Sequence, residues 1–357
     1  MGMLVVEEPA HATPDPPETE IHPAFGRGRC PKLVSEVQSA KRGVRVNALE
    51  VLCDEFKNPA SVVGCVECGV VEILNEQASS DPDPLTRLRA SKALVHCARD
   101  ATGRRAMVAK NSAKAIKGAL GDDESDVRKH VYEALVRVSS GSVAGVRSLI
   151  GANYAGLLVS KAAKEVVALQ PLALQLLMNC LYDPQGLENA LDKGAVKTCI
   201  TLCGSFDTKV REEAAAALAL LCFADEAKEE AIEGGAVAIL VDLLKDPDRN
   251  VRTAASGALA AITTTDEGKR RMVPDPDATV VESVALLVAL LAEKDAPLTT
   301  NVLKCIANVA VHPKARRQFN MKTSTDCLEN LDKLIQADDP LNAKHATIAK
   351  AAVLWEP

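Results

Sequence analysis

Aromatic residues are scarce in this chain. There are one Trp, three Tyr and five Phe among 357 residues, although 47% of the residues are hydrophobic. The core must therefore be built from Ala, Val and Leu. Such a core suits helices packed closely over small side chains, and it argues against a β-sandwich, where aromatic and β-branched residues are enriched. Long hydrophobic runs are lacking as well. The apolar stretch "VREEAAAALALL" at residues 210–221 is shorter than the roughly twenty residues of a membrane span, and it opens with Arg211, Glu212 and Glu213. A surplus of positive charge is also missing. The net charge is −6, and the five acids at residues 1–26, unaccompanied by Lys or Arg, leave about −1 for the remainder. A nearly neutral body gives no basis for a broad phosphate-binding surface, so no nucleic-acid partner is expected.

Catalytic signatures are absent in the same way. Gly268-Lys269 is followed by Arg270 and has no upstream glycine, so it is no P-loop. "GRGRC" follows no strand and is no dinucleotide fingerprint, and neither HExxH nor GxSxG occurs. The chain is expected to be no enzyme, with no cofactor, no membrane association and no small-molecule substrate. "MLVV" is too short for a secretory signal, and Val6 stands where myristoylation requires Ser or Thr. The eleven cysteines include Cys97, Cys180 and Cys222 inside apolar helical runs, which suits small buried hydrophobes in a reducing compartment. Cys65-x-x-Cys68 has no second pair at zinc spacing. Cys199 and Cys203 share a helical face in a different repeat. These cysteines are therefore expected to be structural and no metal is expected.

What the sequence does contain is a repeat. Residues 1–23, rich in Pro and acid, read as a flexible arm. Residues 24–357 read as one solenoid. The frame V-R-x-x-A-x-x-A-L begins at Val44, Thr86, Val127, Leu169, Val210 and Val251, with weaker copies at Leu298 and Asn342. Most steps are 41 or 42 residues; the step from Val251 to Leu298 is 47, lengthened by the loop "VPDPDA". Within a unit, Gly235 breaks the chain and "AVAILVDLLKD" forms a helix. Pro247 and a cap at Asp248 or Asn250 make the turn, "VRTAASGALAAI" forms a second helix, and "TTTDEGKRRMV" a short polar one. Gly69, Gly151 and Gly194 stand where a positive φ is expected. Two longer helices and one shorter one per unit define an all-α, armadillo/HEAT-type right-handed superhelical solenoid of about eight repeats. Its neighbours would cover the nearly all-apolar helix at residues 210–221.

The frame also places the polar residues. Arg45, Arg87, Arg128, Arg211 and Arg252 recur at its second position. They are expected to pair with acids of the adjacent turn such as Asp126, Asp207 or Asp248, in preference to forming an anion-binding ladder. Armadillo proteins that carry nuclear-import signals have Trp at the seventh position and Asn at the eleventh. Here the seventh position holds Lys92, Gln175, Ala216, Gly257 and Lys304 among others, and no Trp. The eleventh holds Asn179 and Asn308, but also His96, Arg137 and Leu220. A basic peptide would lose both its aromatic slots and its backbone clamps. A dedicated protein partner is expected instead, touching Lys92, His96, Arg137, Gln175 and Asn179, the apolar seat at Ala216 and Leu220, and Lys304 and Asn308. Trp355, in "AAVLWEP", is expected either to plug the last repeat or to anchor a neighbouring subunit.

The stretch "AFGRGRCPKLVSEVQS" at residues 24–39 leads into "VRVNALEVLCDEFKNPASVVGCVECGVVEIL" at residues 44–74. Ala24-Phe25-Gly26, Lys32-Leu33, Glu36 and Gln38-Ser39 resemble the opening of the radial spoke head 14 homolog family, armadillo-repeat proteins of ciliary and flagellar radial spokes. Ala48-Leu49, Leu52-Cys53-Asp54 and Asn58-Pro59 are similar to that family's first repeat, and Trp355 and Pro357 to its closing W-x-P. The resemblance implies a non-enzymatic structural subunit of the axonemal radial spoke, partnered by other spoke proteins and located in the axoneme of cilia or flagella. The alternative is a cytosolic armadillo-repeat adaptor that binds extended peptides.

Overall fold

The computed structural model describes residues 26–273, 281–293, 295–321 and 327–356. The arm at residues 1–23 and most of the "VPDPDA" loop lie outside the described residues. Every regular element described is helical. The chain forms two compact units, residues 1–138 and 139–357, and each is built from consecutive copies of the same repeat.

The long closing helix of each repeat is numbered here in chain order. These are α1 (Arg42–Glu55), α2 (Pro84–Cys97), α3 (Ser125–Ser139), α4 (Gln170–Leu181), α5 (Thr208–Leu221), α6 (Arg249–Ile262), α7 (Ala296–Val309) and α8 (Pro340–Leu354). Each begins within a few residues of the frame start read from the sequence. The start signal is local. Asp83, Asp207, Asp248, Asp295 and Asp339 accept hydrogen bonds from backbone N–H groups of the first turns of α2, α5, α6, α7 and α8. That satisfies donors which a helix start leaves unpaired.

Between closing helices lie two shorter ones, such as Asp225–Glu233 and Ala236–Leu243 ahead of α6. The sharp corner between such a pair needs a left-handed residue. Gly69, Gly194 and Gly235 supply it with φ of 80°, 73° and 77°. Gly151 does not: it ends the helix Val143–Gly151, and the positive φ falls on Asn153, as it does on Asn111 in the preceding repeat. Asn tolerates this region because its short polar side chain can bond locally, which is why a search for glycine misplaced the corner.

The frame positions predict burial. The fifth-position residues Ala48, Ala90, Val131, Ala173, Ala214 and Ala255 are all buried, and so are Leu52, Leu94, Leu135, Leu177, Leu218 and Leu259 at the ninth. Each such Leu contributes about 1.5–3 kcal/mol by leaving water. Alanine at the fifth position lets neighbouring closing helices approach, and α4, α5, α6, α7 and α8 pack in succession within the second unit. The helix "VREEAAAALALL" is thus covered by its neighbours on the face holding Val210, Ala214, Ala217, Leu218 and Leu221.

The repeated arginines join successive repeats, but through other acids than the adjacent-turn ones. Arg211 donates from Nη1 to the Ser205 carbonyl at 3.0 Å and from Nε to Asp246 Oδ2 at 2.8 Å, a residue of the next repeat. Arg252 then donates to the Asp246 carbonyl at 2.7 Å and to Glu293 at 2.6 Å. The first unit has the same relay. Arg45 pairs with Asp81, whose carbonyl takes Arg87. Arg87 pairs with Asp122, whose carbonyl takes Arg128. Asp207 and Asp248 are occupied as helix caps, and Asp126 lies in the first turn of α3. Only the fold brings the acid some 35 residues downstream to the guanidinium. These guanidinium contacts run to groups within the solenoid, as a structural role requires, although Arg252 Nε is buried without a hydrogen-bond partner.

Candidate partner-binding groove

The second unit carries a groove of about 700 Å³ across α5, α6 and α7. Its floor is made of small side chains. Ala216, Ala219 and Leu220 come from α5, and Ala254, Gly257 and Ala260 from α6. These fall on the face opposite the core stripe and are half-exposed. One rim is aromatic: Tyr182 follows α4 and Phe223 follows α5, and they are 72% and 76% exposed. Lys304 of α7 stands exposed at the far side, and no carboxylate pairs with it among the described residues.

Glu212, Glu213, Asn250 and Asn301 add polar groups to the lining. The Gln175 amide donates to Glu213. Burial raises the Glu213 carboxyl above its ordinary value, against the lowering effect of that bond. Asn301 donates to the Thr253 carbonyl at 3.1 Å, and Asn308 to the Ala260 carbonyl at 3.3 Å and Thr263 Oγ1 at 3.2 Å. Asn179 donates to Ser139 Oγ at 2.9 Å. Within the second unit these amide donors link neighbouring closing helices, Gln175 of α4 to α5 and Asn301 and Asn308 of α7 to α6.

Of the residues read from the sequence, Ala216, Leu220 and Lys304 come together in this groove. Gln175, Asn179 and Asn308 lie in the same unit, half-buried, with their amide donors engaged as described. Lys92, His96 and Arg137 belong to the first unit; Lys92 and Arg137 are exposed and His96 is half-buried. Trp355 does not plug the end of the last repeat. It is 56% exposed, with the Arg316 guanidinium 4.8 Å from its ring centroid, while Val353 fills the buried position. The sequence reading missed Tyr182 and Phe223, yet the signal was present. Tyr182, Phe223 and Trp355 all occupy the fourteenth position of the frame, one turn beyond the positions inspected.

No three metal-capable side chains converge among the described residues. The cysteines are free, and most are buried. Burial pushes the thiols of Cys97, Cys180, Cys222 and Cys305 up to about 12, away from the thiolate form that binds metals or attacks substrates. No single helix among the described residues is long and apolar enough to cross a membrane.

Solved structures similar to this chain include engineered proteins and designed armadillo repeat proteins. An engineered protein superposes with a TM-score of 0.67 at 24% identity, over 92% of this chain and 90% of its own. A designed armadillo repeat protein superposes with a TM-score of 0.57 at 21% identity, over 66% of this chain and 96% of its own. Another, solved in complex with the peptide (KR)4, gives 0.55 at 21% identity over 69% and 98%. The fold is the armadillo solenoid. No family model matches the chain. Among curated proteins it is similar to radial spoke protein 14 of Chlamydomonas reinhardtii, 28% identical over 131 residues. Those residues are 36% of this chain and 34% of that protein, so the match spans about a third of the relative's length.

Proposed function

We propose that this chain is a non-enzymatic armadillo-repeat scaffold of the axonemal radial spoke, binding other spoke proteins in the motility machinery of cilia and flagella. The observation that carries this reading is the 131-residue similarity to radial spoke protein 14. The motifs around Lys32-Leu33 and Leu52-Cys53-Asp54 and the closing Trp355 agree with it. Armadillo repeats suit such a part because they present long surfaces and need no central pocket. The partner contacts are Ala216, Leu220 and Lys304 in the groove, Trp355 beyond α8, and Lys92, His96 and Arg137 on the first unit. Gln175, Asn179 and Asn308 act through packing of the helices that carry those contacts. The test is fractionation of cilia from cells expressing the tagged full chain. The chain is expected to stay with the detergent-extracted axoneme and, after salt extraction, to sediment with the radial spoke complex. Recovery in the detergent-soluble fraction overturns the assignment.

A further inference from the structure

The groove across α5, α6 and α7 differs from a peptide clamp in a way that selects its occupant. An extended segment exposes a backbone donor and acceptor at every residue, and each needs a partner once buried. At the eleventh frame position, where a clamping amide would stand, α5 and α6 carry Leu220 and Ala261. The amides of Gln175, Asn301 and Asn308 already donate within the protein, and Asn250 is the exposed amide that also lines the groove. A helix brings its backbone already paired and asks only for apolar surface and room. The floor offers both. Ala216, Ala219, Gly257 and Ala260 carry nothing beyond Cβ, so an incoming helix axis can approach to the short end of the 8–10 Å range. Tyr182 and Phe223, exposed along one rim, are large apolar side chains of the kind that dominate interface energetics when covered. Glu212 and Glu213 also line the groove, but Glu212 pairs with Lys209 at 2.6 Å and Glu213 is buried against Gln175, so Lys304 is the charge that faces the groove without an ion-pair partner among the described residues.

We propose that this groove seats an amphipathic α-helix of a partner protein, with its small and aliphatic seam on the alanine–glycine floor, its flank against Tyr182 and Phe223, and a carboxylate over Lys304. The inference rests on the groove and not on the spoke assignment, so either can fail alone.

The test pans the purified full chain against two displayed peptide libraries of about 16 residues, a length that spans about 24 Å as helix. One library is patterned as an amphipathic helix, and the other is spaced with proline to stay extended. Binders are expected from the helical library only, with an acid at one fixed place. Ala216→Trp, which fills the floor, is expected to weaken them at least about tenfold, and so is Phe223→Asp on the exposed rim. Lys304→Glu is expected to lose the acidic binder and accept its Glu→Lys counterpart. Unchanged melting temperatures verify that the variants are folded, and Phe223→Asp alone decides if Ala216→Trp is not. Binders from the extended library only, no binders from either, or indifference to these substitutions overturn the proposal. So does a dimer in sedimentation that Phe223→Asp dissolves, because the occupant is then a second copy of the chain.

Discussion

Asp246 shows how one residue serves two repeats. Burial alone would raise its carboxyl, but the Arg211 hydrogen bond, the Asp248 backbone N–H and the nearby Arg252 charge outweigh it and hold the group below its ordinary value. Asp122 is held down in the same manner through Arg87. Both therefore favour the fold above the usual carboxylate value of about 3.9, and that contribution is lost as the pH falls below it. Arg211→Ala leaves the Asp246 carboxylate buried without its partner. It is expected to lower unfolding free energy in urea by about 3 kcal/mol. Glu213 runs the other way. Its raised carboxyl favours the fold at low pH, and this stability is lost as the pH rises through the folded-state value. Glu213→Gln keeps an acceptor for Gln175 and removes the buried charge. It is expected to raise stability at pH 7 by on the order of 1 kcal/mol, with the gain shrinking towards pH 4 in thermal melts. The thiols make a third expectation at this scale. Native alkylation followed by mass spectrometry should label the half-buried Cys30 and Cys68 first, leaving Cys97, Cys199 and Cys305 unlabelled until the chain unfolds.

Elements meet closely at two kinds of glycine, and the two have different reasons. Gly235 starts the helix Ala236–Leu243 at φ 77°, with open space where a Cβ would stand. Gly186 has an ordinary φ, but a Cβ there would lie 2.1 Å from the Cys180 carbonyl oxygen at the end of α4. Gly103 and Gly268 occupy the same place in their repeats, 2.0 Å and 2.3 Å from the carbonyl oxygens of Cys97 and Ile262. Gly235→Ala is expected to cost about 1 kcal/mol, the backbone strain of a left-handed alanine. Gly186→Ala forces the short helix off the end of α4 and is expected to cost about 2 kcal/mol or more. Chemical denaturation of the two variants separates strain from collision. The cap of α6 was narrowed by sequence to Asp248 or Asn250, and the structure selects Asp248. Asp248 precedes its helix in a pattern that declares a helix start, and it caps α6.

At the scale of the whole molecule, the repeats within each unit are covered by their neighbours, and the stability of a unit is close to a sum of repeat and junction terms. The last junction is polar as well as apolar. Asn342 of α8 accepts from Thr300 Oγ1 at 2.6 Å and donates to the Ala296 carbonyl at 3.2 Å. Removal of residues 339–357 uncovers the face of α7 that α8 packs against. Truncation is expected to lower the melting temperature and to turn a homogeneous species into aggregates in light-scattering chromatography. The repeat number, the closing-helix positions and the half-exposed small face at Ala216 and Leu220 were legible because a 41-residue period acts on every unit alike. The arginine partners were not, since the guanidinium and its acid sit in different repeats.

The sequence by itself determined the helices, the alanine and leucine core and the spacing of the closing helices, because those follow from short-range pattern and burial. The tertiary structure alone decided which polar groups remained for a partner. Asn179 and Asn308 have the side chains of a backbone clamp, but stacking brings a hydroxyl or carbonyl of the preceding repeat within reach of each amide and takes up its donor. The same stacking leaves Lys304 without a carboxylate partner among the described residues and sets Tyr182 and Phe223 along one rim. Neighbour identity at a distance of one repeat is a property of the fold, and it converts a row of alanines from packing alone into a place where another helix can sit.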